Sequence, residues 1–382
     1  QPLFVIRLPY QTAYDKINLY SLFYVRRNLK QNTRRPCMSY ILLYLFLAAL
    51  CLLNIQFCPT GTDIKKTMHR LHELRFIFAV VIIFSHCTNP FFPMPHILLP
   101  LSKISTLGVG YFFISSGFGL ACSVSTKPNY LHDFGKKIVN LLWITLFSSV
   151  VSTLIRNTML GKHQIFHLVN WYMPTLIALY LVFYISYRVF PKNKFRRVVF
   201  LFGVIFITTS SLCIFDAVTG LNHRVYYISE LAFPFGVFIY EYADYLAGFL
   251  KKKYALPLII TAELVFSFLG ITVPEKSLPD LIFHNLMIFP FGLLLIWLLD
   301  KFKVGNRIIN AMNPYAPFLY LFQFVVLEVT KNYYITNDHS FGIFYFWSVL
   351  FFTCVLAIAL QRLYNFIGAE VHKHFCPNRS KL

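Results

Sequence analysis

Apolar residues in this chain gather into runs of about 20, the length a helix needs to cross roughly 30 Å of hydrocarbon. Ten such runs follow Met68, over residues 73–89, 104–124, 138–155, 170–190, 198–215, 228–245, 254–272, 281–299, 311–330 and 343–366. The pattern predicts an all-α fold, a polytopic membrane bundle of about ten transmembrane helices. The sixth run is the weakest, because Pro234, Gly236, Glu241 and Asp244 interrupt it. An eleventh run lies upstream at 38–58, "MSYILLYLFLAALCLLNIQFC".

Composition agrees with the pattern. Of 382 residues 57% are hydrophobic, 18% aromatic and only 13% charged, and the mean hydropathy is +0.59, which excludes an ordinary water-soluble domain. The charge balance, 35 Lys and Arg against 15 Asp and Glu for a formal +20, points to nucleic acid only until the cations are located. Counted from residue 59, the segments between runs alternate between cation-rich and cation-poor, with 22 Lys and Arg on one side and 6 on the other. That bias places the richer side, and both ends of the 68–382 unit, in the cytoplasm of a cell membrane. Lys136 and Lys137, Arg196 and Arg197, and Lys251 to Lys253 then read first as topology determinants beside anionic lipid head groups. The upstream run breaks this order. Crossing there would leave Arg7, Lys16, Arg26, Arg27, Lys30, Arg34 and Arg35 outside, so residues 1–67 are expected to be an appended leader or a peripheral helix, 68–370 the functional unit and 371–382 a short cytoplasmic tail.

Other chemistry is thin. No C-x-x-C, zinc-ligand spacing, phosphate loop or solenoid repeat occurs, and Cys51, Cys87, Cys122, Cys213 and Cys354 fall inside apolar runs as small core residues. In the second span Ser115, Gly119 and Ser123 recur every four residues, a spacing expected to let helices pack closely.

The first span, "ELRFIFAVVIIFSHC" at 73–87, differs. It carries an arginine near its start and a histidine deep within it. Arg75 and His86 are eleven residues apart, which at about 100° per residue is three turns plus about 20°, so both occupy one face about 16 Å apart along the axis. A charge at that depth is costly, so a neutral imidazole able to accept a proton is expected where the face lines a polar path or site. The alternative is a structural histidine bonded to a neighbouring helix.

The Arg-x10-His spacing resembles the first helix of acyltransferase family 3, integral-membrane enzymes that acylate hydroxyls of bacterial surface polysaccharides and related acceptors. "YFFISSGF" (111–118) is similar to that family's Phe-Phe-x-x-Ser-Gly-Phe signature; "NWYMPTLIALYLVF" (170–183), "FPFGVFIYEY" (233–242) and "YAPFLYLFQ" (315–323) resemble its later motifs in order. The likeness runs from residue 70 to residue 366. Departures exist: Lys137 and Asn140 stand where arginines are common, and Leu176 where one branch has glutamate.

The resemblance implies an acyl-CoA donor, most often acetyl-CoA, no metal, and a carbohydrate or cell-envelope acceptor. Arg75 would grip donor phosphate or carboxylate oxygens, with Lys136 and Lys137 as further donor contacts. His86 would act as general base on the acceptor hydroxyl or carry the acyl group itself. Ser116 would orient or stabilise an oxyanion, or serve packing, and Glu73 would orient Arg75 or favour the helix dipole. Trp171, Tyr172, His167 and Glu230, with Arg156, Arg224, His284 and Glu328, would line an acceptor cleft toward the outer half. Glu263, mid-span in the seventh run, has no motif around it. The rival class is a transporter or flippase for a polysaccharide precursor or small molecule, and a third is a catalytically silent relative. Nucleic acid is not an expected partner; membrane lipid is.

Overall fold

The computed structural model describes residues 38–58, 63–91, 94–166 and 171–375, and they form a helical bundle. The helices are α1 (Met38–Leu52), α2 (Ile64–His69), α3 (Arg75–Cys87), α4 (Leu99–Lys103), α5 (Ser105–Thr126), α6 (Phe134–Leu160), α7 (Tyr172–Val189) and α8 (Lys194–Thr219). They continue as α9 (Ala232–Glu241), α10 (Ala243–Leu250), α11 (Ala255–Thr272), α12 (Leu278–Leu286), α13 (Ile288–Lys301), α14 (Arg307–Met312), α15 (Ala316–Thr336) and α16 (Ile343–Phe375). Among the described residues, seven helical stretches are long and apolar enough to cross a membrane: 96–126, 134–160, 172–189, 194–219, 255–272, 278–301 and 343–369. Each coincides with a run expected from the sequence. The outward face of α6, Val139, Leu142, Leu146, Val150 and Leu154, is exposed and purely apolar, as a lipid-facing stripe must be.

The other three expected spans take different forms. The first is the 13-residue α3, preceded by a 3-10 turn at Arg70–Leu74. Ten of its thirteen residues are buried, so it needs no lipid-facing length of its own. The sixth breaks at Tyr242 into α9 and α10, beside the Glu241 and Asp244 that marked it in the sequence. The ninth is the 21-residue α15, which carries Glu328 and Lys331 on an otherwise well-buried helix.

The run at 38–58 packs on the bundle. In α1, Leu43 and Leu50 are buried and Phe46 meets Trp347 edge-on at 4.9 Å and Phe84 at 6.2 Å, while Leu42, Leu45 and Leu52 face outward. Tyr40 near its start touches Phe91, and its far end leads into β1 (Gln56–Phe57), which pairs antiparallel with β2 (Phe302–Lys303). Thus α1 runs antiparallel to α3, starting at the His86 end and finishing at the Arg75 end. Arg70 ties that lower end together by donating to the carbonyls of Leu299 (2.7 Å) and Phe302 (2.9 Å) and to Glu73.

The tightest helix contact joins α5 to α9. A Cβ added at Gly117 would lie 2.1 Å from the Phe233 carbonyl oxygen, and one at Gly236 would lie 2.2 Å from that of Ile114. Backbone therefore meets backbone, possible only because neither position has a side chain. This corrects the expected role of Ser115, Gly119 and Ser123: Gly119 has nothing within 4 Å, and all three border a cavity instead. The packing residues are on the opposite side of α5, since position 119 lies about 200° round the helix from position 117.

Gly117→Ala and Gly236→Ala are each expected to lower the detergent-solubilised melting temperature, by overpacking worth about 1–3 kcal/mol that a fixed carbonyl cannot relieve. Gly248→Ala, with nothing within 4 Å, should leave it unchanged. Thermal denaturation of the three variants checks this; equal melting of all three would refute the backbone contact.

Candidate active site

Helix α3 is buried on every side but one. From Arg75 to Cys87 the positions not fully buried are Arg75, Phe78 and His86, which at about 100° per residue share a single face. The opening of that face at the Arg75 end is a cavity of about 410 Å³, walled by α3, α5, α6, α7 and α15. Arg75 and Lys137 supply its cations; Ser115, Ser116, Ser123, Tyr130, Tyr172, Tyr180 and Tyr320 supply hydroxyls.

The hydroxyls form a connected lining. Ser116 lies beside Tyr172 and Tyr180, and Ser123, whose hydroxyl donates to the Gly119 carbonyl at 2.8 Å, lies beside Tyr130. The Tyr172 ring stacks on Phe113 at 5.0 Å and meets Tyr320 edge-on at 4.8 Å, which fixes the wall opposite Arg75. Among the described residues no carboxylate pairs with Arg75 or Lys137. Glu73, expected to orient Arg75, is instead held by Arg70 at 3.2 Å: Glu73 lies just before α3 begins, where the 3-10 turn brings it onto the residue three earlier. The cavity therefore carries two positive charges with nothing of opposite sign to neutralise them.

His86 is not among the lining residues. Its ring packs on Phe324 of α15 with centroids 4.7 Å apart, and no hydrogen bond reaches the imidazole among the described residues. It does lie along the helix stripe that begins at the cavity. On α15 the cavity-lining Pro317, Tyr320 and Leu321 are followed on the same stripe by the half-buried Phe324, Glu328 and Lys331. Phe324 stands one turn beyond Tyr320, about 6 Å along the axis. The stripe thus leads from the cavity wall to the ring that packs on His86.

The remaining candidates are scattered. Tyr172, grouped by sequence with the acceptor residues, lines the Arg75 cavity. Trp171 lies behind it, against Tyr226 at 5.8 Å. Lys136 is exposed and paired with Asp133 at 2.7 Å outside the cavity, where its ammonium holds that carboxyl below the usual range. Glu230 is buried before α9; its Oε2 accepts the Ser229 N–H at 2.9 Å and its Oε1 has no partner. His284 and Arg224 are bound into a cluster around the buried Asp280, with Arg224 bidentate at 2.7 and 2.8 Å. His167 lies outside the described residues. Tyr130, Tyr180 and Tyr320 escaped the sequence reading because they converge from three separate segments and no local spacing links them.

With this geometry in view, the comparison with known families is decisive for the class of chemistry. Residues 68–362 match the family model of an acyltransferase domain, that of acyltransferase family 3. The chain belongs to that family. It is a membrane acyltransferase, and the match covers α3, the hydroxyl-lined cavity and α15 while leaving α1 outside it. No curated protein and no solved structure matches the chain significantly.

For this acyltransferase, Gly119→Phe is a clean test of the cavity, because the new ring projects into open space rather than into a packed neighbour. The melting temperature should hold while acyl transfer falls by more than about tenfold, the loss expected when a ligand is displaced from its near-attack position. Full activity in the variant would mean the cavity is not the reaction site.

Proposed function

We propose that this protein transfers an acyl group, most often acetyl, from acyl-CoA to a hydroxyl of a carbohydrate or cell-envelope acceptor. The observation that carries the reading is the pair of uncompensated cations, Arg75 and Lys137, at the mouth of a hydroxyl-lined cavity whose open stripe leads to His86. CoA has the matching chemistry. Its phosphates are anionic, and its pantetheine arm is long, flexible and studded with amides that hydroxyls can bond. Arg75 holds the phosphates through charge-assisted bidentate bonds, Lys137 adds a point charge, and the arm runs past Ser116 and Tyr320 toward Phe324. The Arg75 end faces the cytoplasm in this reading, since the cation-rich connections lie on that side.

Two routes use the imidazole. As general base, His86 takes the proton of the acceptor hydroxyl while its oxygen attacks the thioester carbonyl. The carbon–sulfur bond then breaks, and the departing thiolate regains a proton from the imidazolium. As relay, an imidazole nitrogen attacks the thioester first, CoA leaves, and the acceptor hydroxyl takes the acyl group from the acyl-histidine. Among the described residues no hydrogen bond reaches the ring, which leaves a nitrogen for either. Ser116, beside Tyr172 and Tyr180 in the lining, positions the arm below the reacting carbon.

Membranes containing the protein, radiolabelled acetyl-CoA and a mixed glycan acceptor test the reading. His86→Ala should abolish label transfer, a loss of about 10²–10⁴ for a positioned acid–base group, whereas Cys87→Ala should retain it. Arg75→Gln should act mainly on the KM for acetyl-CoA, by about tenfold, as loss of a ground-state contact does. Undiminished transfer in His86→Ala, or substrate movement across the membrane without any need for CoA, would overturn the proposal.

A further inference from the structure

The far end of the α15 stripe holds a second charged group. Glu328, one turn beyond the Phe324 that touches His86, accepts from Arg156 Nε at 2.7 Å and also from the Lys162 ammonium. Two cations thus share one carboxylate, leaving a net positive charge where the bundle is otherwise apolar. The arrangement is built rather than incidental. Gly161, in a left-handed conformation at φ 61°, ends α6, and Asn157 and Gln164 exchange two hydrogen bonds that fold the following loop back, carrying Lys162 onto Glu328.

Several polar atoms here have no partner among the described residues. The Arg156 side chain is 10% exposed, yet its Nη1 bonds to nothing, and neither does Gln164 Oε1. One turn back along α6, toward the cavity, Ser152 is buried with an orphan hydroxyl. Buried donors are rarely left unmade in a native fold unless a bound group completes them.

We propose that Arg156 and Lys162, with Glu328 holding them in place, bind an anionic group on the acceptor: the carboxylate of an acidic sugar or a phosphate ester on the glycan. This rests on the acyltransferase reading above and names its acceptor class. An anion beside the guanidinium satisfies Nη1 and balances the excess charge, and it fixes a sugar hydroxyl a helical turn away beside His86. The enclosure of Arg156 favours a small group carried on a threaded sugar over a lipid head group, which cannot reach a side chain so covered.

The test measures binding and transfer separately on the full chain in neutral detergent. The probes are two disaccharides differing only at one carbon, a glucuronosyl and a glucosyl terminus. Without acetyl-CoA, calorimetry should find the glucuronosyl sugar bound about tenfold tighter, with affinity falling as salt rises. Lys162→Met, at a side chain 40% exposed, should fold normally by its melting temperature and lose most of that preference. Replacing all three groups together, Arg156→Met, Lys162→Met and Glu328→Met, removes the net charge without leaving an unpaired partner and should abolish the preference. Equal binding of the two sugars to the unaltered protein would overturn the inference, as would a preference that survives the triple replacement. So would displacement of the glucuronosyl sugar by phosphatidylglycerol added to the micelle, which would make the site a head-group contact. Selective binding with no acyl transfer to either sugar would sustain this inference and sink the acyltransfer proposal; transfer to both sugars without preference would do the reverse.

Discussion

The site depends on the backbone contact between Gly117 on α5 and Gly236 on α9. Helix α5 can turn about its own axis only until the two backbones meet, and with Phe233 and Ile114 carbonyls against bare Cα positions there is one rotation that fits. That rotation sends the opposite face of α5, with Ser115, Ser116, Gly119 and Ser123, into the cavity. Glycine thus does two jobs on one helix, closing an interface at 117 and leaving space at 119. On α3 a similar economy holds: burial of all other sides leaves Arg75, Phe78 and His86 as the single open face.

Charge is partitioned in the same way. Most buried cations of the fold are bound into structural ties: Arg70 to Glu73, Arg197 to Glu241 at 2.9 Å, and Arg224 to Asp280. Each joins elements distant in sequence or caps a helix end, and removing one partner would strand a buried charge at a cost of about 3–5 kcal/mol. Arg75 and Lys137 stand apart, since no carboxylate among the described residues answers them. Both are exposed at the cavity rather than buried in a tie. The Arg156–Lys162–Glu328 cluster is intermediate, with one carboxylate between two cations.

Much of this was legible in the chain. Helix-length apolar runs locate the seven long spans because lipid exposure imposes a length and composition that no other context requires. The eleven-residue spacing from Arg75 to His86 fixes a shared face by helical geometry alone. The break in the sixth span follows from Glu241 and Asp244. The rest was hidden for physical reasons. Spacing of small residues signals a close approach or an open cavity equally, so Ser115, Gly119 and Ser123 were assigned to packing, while the true packing pair sits on two helices more than a hundred residues apart. Phe324 as the neighbour of His86, and Tyr130, Tyr180 and Tyr320 as cavity walls, arise from tertiary contacts without any local pattern. Charge counting left α1 as a leader or a peripheral helix, and no pattern in the chain pointed to its aromatic contacts with Phe84 and Trp347 of α3 and α16.

The central claim is that one continuous path runs from Arg75 past Tyr320 to His86. A cryo-electron microscopy structure of the protein with a non-hydrolysable acetyl-CoA analogue, its thioester sulfur replaced by methylene, tests it directly. The account predicts phosphate density at Arg75 and Lys137, pantetheine along the α15 stripe, and the acyl carbonyl within reach of the His86 ring. An analogue seated in the cavity with its acyl end directed away from Phe324, or bound elsewhere on the bundle, would contradict it.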